Sequence, residues 1–264
     1  MRHKSAARTT QIPAATAKVA PRTMRVAVIS DVHGNRHALD AVLAEIDEES
    51  VDAIWCLGDT VGYGPQPNEC CRLVQEHADL CLVGNHDLVA LGALTVSDFN
   101  EEAAAAALWT SEALTDESRA FLHSLEPRAT AAGVELFHAS ARDPVWEYVL
   151  SEETARATFE LTTAPLILVG HSHVALALTV NGRDVSGGIA PGGTSVELAG
   201  RWLVNPGSVG QPRDGDPRAA WLFADLDRPA VAFRRVPYAI EWTQAEMAKA
   251  GLPPLLAARL AVGE

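Results

Sequence analysis

The stretch LVGHSHVAL, residues 168–176, runs an apolar segment out into two imidazoles, His171 and His173, either side of one serine. Four other apolar segments end in similar chemistry: VAVIS in Asp31 and His33, AIWCL in Gly58-Asp59, LCLV in Gly84-Asn85-His86-Asp87, and ELFHAS in His138. Asp, Asn and Gly are ordinary loop residues, so any one of these ends could be turn punctuation. Together they mix carboxylate, imidazole and amide oxygen, a set suited to borderline divalent ions such as Mn, Fe, Ni, Co or Zn. An all-oxygen set would favour Mg or Ca, and a thiolate set Zn. Asp31, His33, Asp59, Asn85, His138, His171 and His173 are more ligands than one ion needs. Two ions about 3.5 to 4 Å apart that share one carboxylate account for the surplus, and such a pair is a clamp for phosphoryl transfer.

The elements that would carry these residues follow from the apolar pattern. MRVAVIS (24–30) is a β-branched run without helical period and reads as a buried strand. Leu39, Val42, Leu43 and Ile46 then fall at i, i+3, i+4 and i+7, a helix with one apolar face. AIWCL (53–57), NECCRLVQEHA (68–78) and LCLV (80–83) continue as strand, helix and strand, which implies parallel pairing through crossovers. Residues 100–125 read as two helices, capped by Asn100 and by Thr115 or Asp116. From residue 128 onward the pattern is short strands, with turns expected at NG (181–182) and at GG (187–188 and 192–193). A helical stretch at 238–262, broken at Pro253 and Pro254, follows. The sum is a mixed α/β domain, parallel in its first half and largely antiparallel in its second, with helices outside. In such open sheets functional groups collect where strands end and loops begin.

Composition narrows the partners. The 264 residues are 48% hydrophobic, enough for a substantial core, and no apolar run approaches the roughly 20 residues of a membrane span. The net charge of −13 includes five cations in residues 1–23 (Arg2, Lys4, Arg8, Lys18, Arg22) with no acid, leaving −18 on the rest. A surface that acidic repels duplex nucleic acid. Residues 1–23 read as a disordered, solvated basic tail ahead of a domain at 24–264; they lack the apolar h-region of a secretory signal. Cys56, Cys70, Cys71 and Cys81 form no CxxC pair and read as reduced, mostly buried thiols of a cytoplasmic protein.

In order, DVHGN, GDTVGYGP, GNHD, FHAS and GHSH resemble the motifs of the calcineurin-like metallophosphoesterases, over about residues 24–236. SDVHGNRHALDAVL, GDTVGYGPQPNEC and NPGSVGQPRDGDPRAAW resemble the small stand-alone bacterial and archaeal members, often labelled phosphodiesterases. The resemblance implies a two-sheet αββα sandwich of mixed sheets with a dimetal site at the strand ends. By the same resemblance Asp31, His33 and His173 would hold one ion and Asn85, His138 and His171 the other, with Asp59 bridging. It further implies hydrolysis of a phosphoester by hydroxide between the ions. His86 would be a non-ligand that protonates the leaving oxygen or steadies the transition state.

For substrate contacts the candidates are Asn35, Arg36, Arg142 and Arg213, with Tyr63 a further cleft residue. Arg142 directly follows HAS and could aim at a phosphate, or be an ordinary solvated arginine; Tyr63 could equally be a packed loop aromatic. His3, His37, His77 and His123 read as tail or helix residues without a role. One departure matters: serine/threonine protein phosphatases and dinucleoside tetraphosphatases carry GDxVDRG where this chain has GDTVGYG (58–64). The arginine and the acid before it are absent, which points away from both activities. The leading expectation is hydrolysis of a small phosphodiester or nucleotide. Alternatives are a phosphomonoesterase or phosphoprotein phosphatase, and a non-catalytic scaffold, since the retromer scaffold subunit shares this fold but lacks the catalytic histidine. Substrate choice would lie in the loops at 92–116 and 142–150; nothing in the sequence fixes the oligomeric state.

Overall fold

The computed structural model describes residues 24–264, and the expected basic tail at 1–23 lies outside the described residues. The first half alternates as expected: β1 (Arg25–Ile29), α1 (Arg36–Glu48), β2 (Ala53–Cys56), α2 (Pro67–His77) and β3 (Leu80–Cys81). A short helix, α3 (Asn85–Ala90), starts inside GNHD, and α4 (Glu101–Ala113) and α5 (Asp116–His123) follow. Asn100 and Thr115 cap the last two, accepting from the amides of Ala103 and Ser118.

The second half contains β4 (Arg128–Ala131), β5 (Val134–Phe137), α6 (Glu152–Leu161), β6 (Leu166–Leu168), β7 (Leu176–Asn181) and β8 (Asp184–Ile189). β9 (Ser195–Glu197), β10 (Arg201–Asn205), β11 (Ala219–Asp225), β12 (Ala230–Val236), α7 (Ile240–Ala250) and α8 (Pro254–Arg259) complete it. Three sequence expectations need correction. The strand at 80–83 shortens to Leu80–Cys81. The GG at 187–188 lies inside β8, paired with Ala177 and Leu178, not in a turn. α6 replaces part of the expected run of strands; its Ser151 and Thr154 make a capping box, and Ala155, Thr158 and Phe159 form its buried face.

Two six-stranded mixed sheets result, ordered β3-β2-β1-β11-β12-β9 and β4-β5-β6-β10-β7-β8. The alternation of β1 shows the layering. Val26 and Val28 pack between the sheets with Trp55, Leu57, Leu136, Leu168 and Val204. Ala27 and Ile29 face the other way, onto Leu39, Val42 and Ile46 of α1. On the second sheet, Ile167 and Leu203 meet Ala155 and Phe159 of α6. Helix, sheet, sheet, helix is therefore the order of layers, the αββα arrangement.

Parallel pairing decides where the chemistry goes. β1, β2 and β3 run parallel, with Val28 opposite Trp55 and Cys56 opposite Cys81, so their C-terminal ends share one edge. β5 and β6 also run parallel, with Leu136 opposite Leu168. Residues 31–33, 58–59, 85, 138 and 171 leave those ends. Backbone bonds stitch the loops together, from Asp31 N to Gly58 O at 3.0 Å and from Gly170 N to His138 O at 2.8 Å.

Candidate metal centre

All seven sequence candidates, Asp31, His33, Asp59, Asn85, His138, His171 and His173, meet at this edge, and none is more than 4% exposed. Asp31, His33 and His173 form one cluster and Asp59, His138 and His171 another. Asp59 Oδ2 stands 3.6 Å from His33 Nε2 and 3.5 Å from His138 Nε2, so one carboxylate oxygen serves both clusters.

The imidazole hydrogen bonds test whether cations fit. His33, His138 and His173 each direct Nδ1 at a carbonyl, of Val61 (3.1 Å), Leu57 (2.9 Å) and Gln211 (2.6 Å) respectively. A carbonyl only accepts, so Nδ1 carries the proton and each Nε2 presents a bare lone pair. Yet His33 Nε2 lies 2.9 Å from His173 Nε2, and His138 Nε2 lies 3.2 Å from Asn85 Oδ1. Lone pair facing lone pair is repulsive unless a cation sits between. Ligand atoms about 2.0 to 2.1 Å from a shared ion would be roughly 2.8 to 3.4 Å apart, a range that includes both separations. His171 is turned round, with Nε2 on the Trp146 carbonyl at 3.1 Å and Nδ1 left for the cluster. Asp31 Oδ1 and Asp59 Oδ2 are buried without a hydrogen-bond partner, which a native interior rarely tolerates. The donor set therefore fits two borderline divalent ions.

Burial sets the protonation states. It pushes the Asp31 carboxyl up to about 7 and holds Asp59 well above the usual carboxylate range, with the buried Asp87 carboxylate as the next cause for Asp59. Burial also holds His33, His171 and His173 well below the usual imidazole range, so they stay neutral, as metal ligands would have to be. The same burial lowers His86, which keeps a neutral ring with one N–H to donate.

The local backbone is strained to make this convergence. Asp31, His33, Asp59, His171 and His173 all adopt left-handed conformations, with φ between 49° and 63°. Gly84 is needed because a Cβ there would collide with the Asp59 carboxylate. Asp87 locks the GNHD turn to the GDTVGYG loop, accepting from Gly84 N and Val61 N at 2.9 Å each.

His86 clusters with His33 and Asp59. Its Nδ1 is buried without a partner beside Gly62. Its ring stacks on Phe99 (centroids 4.4 Å apart) and leans on Tyr63 (4.3 Å) and His33 (4.8 Å).

The substrate-contact candidates divide. Asn35 is buried and saturated: Nδ2 donates to Gly210 O and Tyr238 Oη, while Oδ1 accepts from Ala38 N and Thr243 Oγ1. It holds α1 to α7 and has no polar group left for substrate. Arg36 pairs with Asp40 one helical turn away, and Arg142 pairs with Glu147. Arg213 and Tyr63, by contrast, touch each other beside the histidines, Nη2 to Oη at 3.2 Å. Sequence reasoning missed the aromatic rim: Tyr148 stacks on His171 with centroids 4.1 Å apart, and Trp146 meets Phe99 edge-on at 5.6 Å. The available signal was the WEY triplet shortly after FHAS.

With this geometry the likeness to known proteins is specific. The model of the calcineurin-like phosphoesterase superfamily domain matches residues 24–228. A crystal structure of a metallophosphoesterase from Sphaerobacter thermophilus shares 42% identity at TM-score 0.84, covering 92% of this chain and all of that one. An uncharacterized protein of Methanocaldococcus jannaschii is 37% identical over 243 residues, 90% of this chain and 98% of its own length. A symmetrical bis(5'-nucleosyl)-tetraphosphatase of Pseudomonas putida is 31% identical over 134 residues, 47% of this chain and 44% of that enzyme. A hypothetical protein from Pyrococcus horikoshii, at 19% identity and TM-score 0.74, shares the fold. The chain belongs to the calcineurin-like phosphoesterase superfamily and is a metal-dependent phosphoesterase.

Proposed function

We propose that the protein hydrolyses a small phosphoester, a phosphodiester or nucleotide, at a dinuclear transition-metal centre. Asp31, His33 and His173 would hold one ion and Asn85, His138 and His171 the other, with Asp59 shared between them. The observation that carries this reading is the 2.9 Å approach of two unprotonated imidazole nitrogens, His33 Nε2 and His173 Nε2, beside two orphaned carboxylate oxygens. Bound there, two divalent ions supply a water acidified toward neutrality and neutralise phosphate oxygens.

The chain's own groups do the rest. His86, held by aromatic contacts at the junction of the two clusters, donates its N–H to the leaving oxygen and so steadies the charge that develops there. The rim of Phe99, Trp146 and Tyr148 shields the centre from bulk water, which strengthens every electrostatic contact inside. Its aromatic faces suit a nucleobase. The intact His86 and complete ligand set argue against a purely scaffolding role. The partial match to a bis(5'-nucleosyl)-tetraphosphatase favours nucleotide substrates, though Tyr63 and Gly62 stand where GDxVDRG has arginine and acid. We place the protein in the cytoplasm on its free, mostly buried cysteines, and choose Mn as the first metal to test. Among the described residues no helix is long and apolar enough to cross a membrane.

A screen of Mn-loaded protein against phosphomonoesters, phosphodiesters, cyclic nucleotides and dinucleotides tests the reading. Turnover of a diester or nucleotide supports it. Binding of two ions with no turnover of any phosphoester contradicts it.

A further inference from the structure

Arg213 makes no carboxylate pair among the described residues, although its neighbours Arg218 and Arg235 pair with Asp216 and Asp214. It is nonetheless tightly placed. Its backbone N–H donates to the carbonyl of His173 at 3.2 Å, and its Nη2 donates to Gln211 Oε1 at 2.8 Å and to Tyr63 Oη at 3.2 Å. The guanidinium carbon lies 5.6 Å from the centre of the Tyr63 ring, which itself abuts His33 and His86. Its Nε is buried with no partner. A guanidinium with a partnerless buried N–H and no carboxylate beside it is an anion receptor.

Charge says what kind of anion. Asp31 and Asp59 are the only carboxylates among the seven candidate ligands, so two divalent ions and one hydroxide would leave one excess positive charge, and two once Arg213 is counted. A phosphodiester brings one negative charge. The position of Tyr63 adds to this: it occupies the arginine place of the GDxVDRG pattern, and Arg213, arriving from the loop after β10, sets a guanidinium against it.

We propose that Arg213 is a specificity-determining residue that binds a second, non-reacting phosphate next to the scissile one, so that the preferred substrates are nucleotides with adjacent phosphates. This rests on the dinuclear phosphoesterase reading above.

The test compares wild type with Arg213→Gln, which keeps an amide donor for Tyr63, and Arg213→Lys, which keeps the charge without the planar fork. In the Mn-loaded proteins kcat/KM is measured on a dinucleoside polyphosphate and on a nucleoside 5'-p-nitrophenyl phosphate, which has a single phosphate. Equilibrium binding is measured separately for α,β-methylene ADP and for the phosphonate analogue of AMP, neither of which is hydrolysed. Loss of a charge-assisted bond predicts that Arg213→Gln weakens the two-phosphate ligand and substrate about 10- to 100-fold more than their one-phosphate counterparts, with Arg213→Lys between. Equal losses on both kinds, or no loss on either, overturn the proposal. Should Arg213→Gln fail to fold, the same ratios for Arg213→Lys decide. A wild-type protein that turns over neither substrate contradicts the phosphoesterase reading instead, and the binding ratio still judges Arg213.

Discussion

The backbone N–H of His86 donates to Asp59 Oδ1 over 2.9 Å, and this bond turns the other oxygen, Oδ2, into the gap between His33 and His138. The residue read as the proton donor thereby orients the carboxylate read as the bridge. Asp59→Asn keeps an acceptor for His86 but removes the bridging charge, so both ions should bind at least about tenfold more weakly, together. Calorimetric metal titration checks this; weakening confined to one site would show that Asp59 serves one ion only.

Replacing the His86 side chain should separate chemistry from metal binding. His86→Asn is expected to retain both ions while kcat falls by roughly 10²- to 10⁴-fold, the usual worth of a positioned acid. The loss should be greatest for alkoxide leaving groups and smallest for nitrophenolate. Leaving-group dependence of kcat in the two proteins is the measurement, and metal loss in the variant would mark His86 as a ligand.

Much of this was legible in the sequence because the pattern and the chemistry coincide. β1, β2, β5 and β6 are apolar runs ending in ligand-type residues, and parallel pairing of such runs brings their ends to one edge. α6 and β4 were not legible, since Glu152–Leu161 buries only a narrow face and Arg128–Ala131 alternates weakly beside it. Asn35 is illegible for a different reason: adjacency to DVHG points to the cleft, whereas its amide is consumed by partners as distant as Tyr238 and Thr243. No local pattern encodes such contacts. The rim aromatics Phe99, Trp146 and Tyr148 come from two separate loops, so only the fold shows that they meet the histidines.

Gly84 offers a steric test. Its φ of −107° is open to any residue, so Gly84→Ala acts only through the added methyl, which would overlap the Asp59 carboxylate. The variant should lose about 1 to 3 kcal/mol of stability and bind metal poorly. Gly188→Ala, whose Cβ would meet nothing within 4 Å, is the control and should be near neutral. Thermal melts with and without Mn distinguish them; equal behaviour would mean the Asp59 loop is looser than described.

The metal-free protein should show the cost of Asp31 as a function of pH. Burial raises its carboxyl to about 7 from an unfolded value of 3.8, so the folded state binds the extra proton in that window. Stability from this group is fully present below about 4 and is lost as pH rises through about 7. Asp31→Asn should therefore match wild type near pH 4 and melt higher above pH 7, in the absence of metal. A difference that is constant across pH, or that favours wild type at high pH, would exclude a buried charge at Asp31.

The central claim is that two ions acting together perform the hydrolysis. Its most direct measurement is a titration of metal-free protein with Mn while following hydrolysis of bis(p-nitrophenyl) phosphate. Activity should stay low through the first equivalent, rise with the second and level off at two per chain. Full activity at one equivalent, or none with two ions bound, would contradict it.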